Sequence, residues 1–235
     1  MSHPPLMSGR SPVECDRIII VGAGGFGREV LQWARHAWPQ HASKIAGFLS
    51  SDPSKLSSHA PTLPILGSPD DFEPQPNDGL LLAIGIPGAR RIVAEQLEAH
   101  GARFLSLIHP TAIIADSALI GTGTVICPYA IVSDAVLLGR FVLVNYHASL
   151  GHDARADDFS VLSPYAALGG AASLGSEAFL GLHSSVGPGR VVGAKSKVSA
   201  NSCALVSAPD LSLVYGVPGR VSCRIGEAIE REASC

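Results

Sequence analysis

From Ile114 to Cys203 an aliphatic residue returns at every sixth position, through Ile120, Ile126, Val132, Leu138 and Val144 to Val198, and only Ala156 is small. The residue after it is usually Gly or small and polar, as at Gly121, Gly139, Gly151 and Gly169, and the fourth after it is usually small, as at Ala130, Ala148, Ala166 and Ser184. Such hexads fit a parallel β-helix of triangular section, in which each short strand points one aliphatic residue into a narrow core and the turn admits only a small side chain. Three hexads make one coil. The span 114–203 holds 15 hexads, hence 5 coils of 18 residues, with no inserted loop.

Before the repeat the texture changes. Arg17–Val21, Lys44–Leu49 and Gly79–Ile84 read as strands, and Gly27–Trp38 and Ala89–His100 as helices, which together make a small α/β unit. Arg103–Ile108 reads as its last strand. Residues 50–76, rich in Ser, Pro and Asp, read as loops around a short strand at Leu63–Leu66. The expected organisation is a mobile leader over 1–16, a Rossmann-like unit over 17–108, an all-β parallel β-helix over 109–224 and a tail over 225–235.

A net charge of −3 with 17 Lys and Arg offers no basic field for a phosphate backbone, so no nucleic-acid partner is expected. No apolar run approaches the roughly 20 residues that span a bilayer, and the first ten residues lack an apolar signal core. A cytoplasmic protein without a membrane partner is expected. The five Cys are scattered and never form a Cys-x-x-Cys pair, so neither a disulfide framework nor a zinc site is indicated.

Gly22-Ala-Gly24-Gly25-Phe26-Gly27 follows a strand and opens a helix, where free N–H groups hold a phosphate. The α/β unit is about half of a complete dinucleotide fold, and no acidic residue closes its second strand, which runs on into Ser50, Ser51 and Asp52. A nucleotide diphosphate is therefore favoured over NAD. Gly85-Ile86-Pro87 also ends a strand, and the two loops at one sheet edge suggest a pocket.

Within the repeat, a step of 18 residues puts Tyr129, His147, Tyr165 and His183 in one column and His152 over Gly170. A bulky side chain beside a bare backbone makes a notch. His152 can take a proton near neutral pH, Asp153 can orient it, and Gly170 leaves an N–H for a developing oxyanion. His147 is read as a lining residue of the substrate site. Arg190, Lys195, Lys197, Arg220 and Arg224 could meet phosphates of an extended cofactor lying along the solenoid, with Ala167, Gly170 and Gly187 lining its path. Cys127 and Cys203 read as packing residues.

These residues together resemble the hexapeptide-repeat acyltransferases with a left-handed β-helix, specifically the sialic acid O-acetyltransferase and UDP-4-amino-sugar N-acetyltransferase family. The resemblance rests on Ile20-Val-Gly-Ala-Gly-Gly-Phe-Gly27, Ile108-His-Pro-Thr-Ala112, Gly151-His-Asp153 and Val214-Tyr-Gly-Val-Pro-Gly-Arg220. It implies acetyl-CoA as co-substrate without a metal, a homotrimer, and N-acetylation of a nucleotide-linked amino-sugar in bacterial surface-glycan biosynthesis. It also implies His152 as general base, Asp153 as its acidic neighbour and Gly170 as oxyanion donor. Family members often carry acidic residues where this chain has Ser50 and Ser51, and some carry a second His where it has Val161. Two other readings stand beside this one: acetylation of a hydroxyl, and a non-catalytic β-helix scaffold.

Overall fold

A computed structural model describes residues 11–52, 54 and 63–223. Every hexad from Ile108 onward contributes a two-residue strand, and strands 18 residues apart pair in parallel register, as in Leu137↔Arg155 and Leu143↔Val161. The strands stack into three sheets, which form the faces of a prism. Face one runs from Leu107–Ile108 through Val125–Ile126, Leu143–Val144, Val161–Leu162 and Phe179–Leu180 to Lys197–Val198. It is closed by Ser212–Tyr215 and by the antiparallel Arg220–Cys223. Face two runs from Ile113–Ile114 to Cys203–Ala204, and face three from Leu119–Ile120 to Val191–Val192.

The repeat explains itself residue by residue. From Ile120 onward the aliphatic residue of each hexad is buried, including Ala156, and joins a single axial core, against which Ile108 and Ile114 pack half-buried at the first coil. Each edge then turns with one residue in the left-handed region, for example Tyr129 at φ 60°, Phe141 at 56° and Asp153 at 59°. Such residues cost about 1–2 kcal/mol each, while a fully buried aliphatic side chain contributes about 1.5–3 kcal/mol. Stacking therefore holds turns that a lone coil would not keep.

The α/β unit has β1 (Arg17–Val21), β2 (Ile45–Leu49), β3 (Ile65–Gly67) and β4 (Asp78–Leu82) in the order β3-β2-β1-β4, all parallel. Helix α1 (Gly25–Ala37) covers one side of this sheet and α2 (Pro87–Ala99) the other. The segment read as a last strand divides. Phe104 bridges Leu80 beside β4, whereas Leu107–Ile108 pairs with Val125–Ile126 in the solenoid. Residues 11–16, read as part of a mobile leader, are packed: Ser11 caps a short 3₁₀ turn at Pro12–Glu14, Cys15 is buried, and Lys44 Nζ donates to the carbonyls of Pro12, Val13 and Cys15. The rest of the leader and the tail with Arg224 lie outside the described residues.

The α/β unit is docked on face one. Val30, Leu31 and Trp33 of α1 share a core with the outward residues Val125, Leu143 and Val161. Helix α2 lies along the edge between faces three and one, where Ala94 and Leu97 belong to the cluster that holds Phe141 and Phe159. Charge follows the same line, with Arg91 Nε 3.1 Å from Glu177 and Glu98 paired with Arg140. At the first coil, the Thr111 N–H, which can only donate, bonds His109 Nδ1. The neutral ring therefore carries its proton on Nε2 and donates it to His36 Nδ1, 3.1 Å away at the end of α1. Burial first, and His36 second, lower the His109 pKa.

Since the turn at Ala166 is fully buried under the next coil, Ala166→Leu is expected to lower stability by about 1–3 kcal/mol through overpacking. The measurement is a lower denaturant midpoint at unchanged slope.

Candidate active site

Two places in the molecule combine exposed polar groups with an open backbone. The first is the crevice between the loops that follow β1 and β4. Because β2 and β4 leave β1 on opposite sides, this is the switch point of the sheet, where open α/β folds bind ligands. The loops touch: a Cβ on Gly22 would sit 2.6 Å from the Ala83 carbonyl oxygen. Gly24 is the N-cap of α1 and Ile86 that of α2, and neither helix start has a side-chain cap. Among the described residues no side chain caps the first N–H groups of either helix, and both starts border one crevice, the setting that attracts a phosphate.

The glycines of this loop divide by what surrounds them. A Cβ on Gly24 or Gly85 would meet nothing within 4 Å, and one on Gly25 only Arg28 Nη2 at 4.0 Å. A Cβ on Gly27 would collide with the Gly22 carbonyl, so that glycine serves close packing of helix on strand and leaves no room of its own. Phe26 stands edge-on to Trp33 at 5.9 Å, and Ile86 is exposed. Past β2, Ser51 Oγ is 3.2 Å from Ser68 Oγ, and Asp52 accepts from the Ser54 N–H and hydroxyl at 3.0 and 2.6 Å.

The second place is the edge between faces two and three. His152 Nδ1 lies 2.8 Å from Asp153 Oδ2, and among the described residues Nε2 has no hydrogen-bond partner. The ring lies directly over Gly170, where a Cβ would come within 2.6 Å of His152 Nε2, so the notch exists because residue 170 has no side chain. Among the described residues the Gly170 N–H has no acceptor. At the matching turn position on another edge, the Arg140 N–H donates to Asp158 and the Ala194 N–H to Asp210, each at 2.7–2.8 Å. One coil beyond Gly170 stands Pro188, which has no such oxygen to offer. The side chains of His152 and Asp153 are 69% and 63% exposed, so the chain by itself does not shield them.

Not all residues singled out in the sequence meet here. Gly170 and Gly187 lie on this edge and Ala167 on face two beside it. Lys195 sits on the edge between faces three and one, 3.7 Å from Glu177, and Lys197 lies over the Phe179 ring on face one. Arg220 is exposed on the closing hairpin. Tyr129, His147, Tyr165 and His183 do form a column on the edge between faces one and two, with ring centroids 5.1, 4.8 and 4.6 Å apart. Arg190 is exposed because the regular turns give out above it, at residues 205–207, so no small residue is required there. Cys127 is fully buried and burial pushes its thiol up, which fits a packing residue. Among the described residues no group of three or more His, Cys, Asp or Glu could hold a metal ion, and no helix is long and apolar enough to cross a membrane.

Arg90 was not singled out, although its place could have been read. It falls on the inward stripe Pro87, Arg90, Ala94, Leu97, where an apolar residue is the rule.

Comparison with known proteins matches residues 17–97 to the PglD N-terminal domain. GDP-perosamine N-acetyltransferase of Escherichia coli O157:H7 is 23% identical over 146 residues, 62% of this chain and 66% of that enzyme. UDP-N-acetylbacillosamine N-acetyltransferase of Bacillus subtilis is 48% identical over 46 residues, 20% of this chain and 21% of that enzyme. Among solved structures, a histidine-substituted perosamine N-acetyltransferase from Caulobacter crescentus, in complex with CoA and GDP-perosamine, superposes with a TM-score of 0.79 at 26% identity, covering 88% of this chain and 96% of that one. The acetyltransferase domain of PglB from Neisseria gonorrhoeae, also solved with acetyl coenzyme A, superposes at 0.77 and 27% identity over 88% and 98% of the two chains. In its α/β unit and its prism of hexads the chain is thus similar to sugar N-acetyltransferases of known structure, and its first unit matches the PglD N-terminal domain.

Proposed function

We propose that this protein transfers the acetyl group of acetyl-CoA to the amine of a nucleotide-linked amino-sugar. The observation that carries the reading is the His152–Asp153 pair seated over the bare backbone of Gly170. The relatives that bind GDP-perosamine, CoA or acetyl-CoA support the choice of substrates.

In this reading the diphosphate sits at the uncapped starts of α1 and α2, over Gly24, Gly25 and Gly85. Asp153 accepts the Nδ1–H of His152 and so leaves Nε2 as the base. The sugar amine attacks the acetyl carbonyl carbon, the N–C bond forms, and Nε2 takes the amine proton. The Gly170 N–H stabilises the oxyanion. The C–S bond then breaks, the proton held on Nε2 passes to the sulfur, and CoA leaves as its thiol with no acyl-enzyme. Much of the rate comes from holding two substrates in one groove. The reaction is placed in the cytoplasm, with acetyl-CoA along the edge past Ala167, Gly170 and Gly187.

The topology also argues for shared sites. A prism has three edges, and a unit docked on face one touches only the two that bound it. His152, Asp153 and Gly170 stand on the third. A sugar held by the α/β unit therefore reaches the His152 of another copy, and a homotrimer closes three such grooves by one symmetry. A neighbour would also cover the exposed His152 and bring Lys195, Lys197 and His147 toward a groove that its own chain does not give them.

Incubation with acetyl-CoA and nucleotide 4-amino-sugars should release free thiol, and His152→Ala should lower turnover by about 10²- to 10⁴-fold while keeping fold and acetyl-CoA binding. Wild-type turnover in that variant would remove His152 from the mechanism. Gly25→Val fits the free protein, since only Arg28 is near, yet fills the crevice. It should raise the KM of the sugar nucleotide with little change in that of acetyl-CoA, and the opposite pattern would reverse the assignment of the two sites.

A further inference from the structure

Arg90 is the largest fully buried side chain of the protein's described residues. Its guanidinium forks across two parts of the fold. Nε and Nη2 donate to the Phe141 carbonyl at 3.2 and 3.0 Å, and Nη1 donates to the Ile84 carbonyl at 2.5 Å, with the Leu82 carbonyl at 3.4 Å. Among the described residues no carboxylate forms an ion pair with it, and burial pulls its pKa down to about 9.

A charge buried without a counter-charge is costly, and an apolar side chain of similar volume would often be neutral or stabilising in its place. Stability alone therefore does not account for arginine here. What the fork adds is direction. Leu82 ends β4, and Ile84 immediately precedes Gly85-Ile86-Pro87, the loop that borders the crevice. Phe141 belongs to the solenoid edge, where its ring lies 4.9 Å from Phe104 and 5.0 Å from Phe159. One planar group thus ties the crevice loop to the prism with bonds that tolerate little rotation.

We propose that Arg90 is a positioning residue, which fixes the Gly85–Pro87 loop, and the nucleotide-sugar that it holds, in register with the solenoid. The inference rests on the acetyltransferase reading above. It differs from a packing role in what it predicts, because an error of about 1 Å in placing a substrate can cost on the order of 10²-fold in rate.

Two variants separate the roles. Arg90→Met keeps bulk and removes both charge and fork; Arg90→Lys keeps charge but can engage only part of the carbonyl set. At temperatures well below melting, kcat/KM for the sugar nucleotide should fall about 10- to 100-fold in Arg90→Met and less in Arg90→Lys, while the KM of acetyl-CoA stays within about twofold. Melting temperature should rank the variants the other way, with Met at or above Lys. Activity that follows melting temperature, or equal losses for both substrates, overturns the proposal. Should Arg90→Met not fold, the KM split in Arg90→Lys decides. Calorimetry with UDP and GDP gives a readout independent of turnover. Weaker binding in the variants supports the proposal even if no amino-sugar is acetylated, and unchanged binding overturns it.

Discussion

A hexad that keeps its phase for fifteen turns leaves the chain no freedom about where each side chain goes, and this rigidity governs everything else in the molecule. Each residue is assigned to a face, an edge or the axis by its number alone. The axial core takes one aliphatic residue per hexad and, at the fourth place after it, a small residue or, at 136 and 142, a valine. Chemistry is thereby confined to the edges, where a turn residue stands clear of the core. A histidine on one coil then meets the residue one coil on with no adjustment available, and only glycine at 170 lets the His152 ring lie where it does.

The same rigidity sets a problem of access. The α/β unit buries face one with Val125, Leu143 and Val161, and two further aromatic residues, Phe141 and Phe159, are drawn into its second core at the neighbouring edge. That interface is reinforced by Arg90, Glu98–Arg140 and Arg91–Glu177, and it lies away from the third edge. In the proposed reading, a substrate on the docked unit and His152 on the third edge are therefore brought together by assembly.

How much of this was legible in the sequence depends on the range of the interaction. The prism, the aromatic column and the His152 notch follow from counting by six and eighteen, because stacking is a nearest-neighbour affair. Leu107–Ile108 could be assigned to either unit from pattern alone, and only pairing with Val125–Ile126 decides it. Gly27 looks like its neighbours Gly24 and Gly25 in the motif, yet contact with Gly22 gives it a different task. The lysines at 195 and 197 are near Gly187 in sequence but a face away in space, since two residues past an edge turn is already another side of the prism. Residues 11–16 look polar and short, and their order comes from Lys44, a contact that no local pattern contains. Arg90 was visible as a misfit on an apolar stripe, while its partners at Phe141 and Ile84 needed the tertiary fold.

The central claim is that each active site joins the crevice of one chain to the His152 edge of another. The direct measurement is complementation in mixed assemblies, made by co-expressing Gly25→Val and His152→Ala chains with different tags and purifying particles that carry both. In a trimer that carries both chains, one boundary of the three pairs an intact crevice with an intact edge, so mixed trimers should show about a third of wild-type turnover although each variant alone is nearly inactive. Mixed particles no more active than the separate variants would mean that crevice and His152 act within one chain, and would contradict the account.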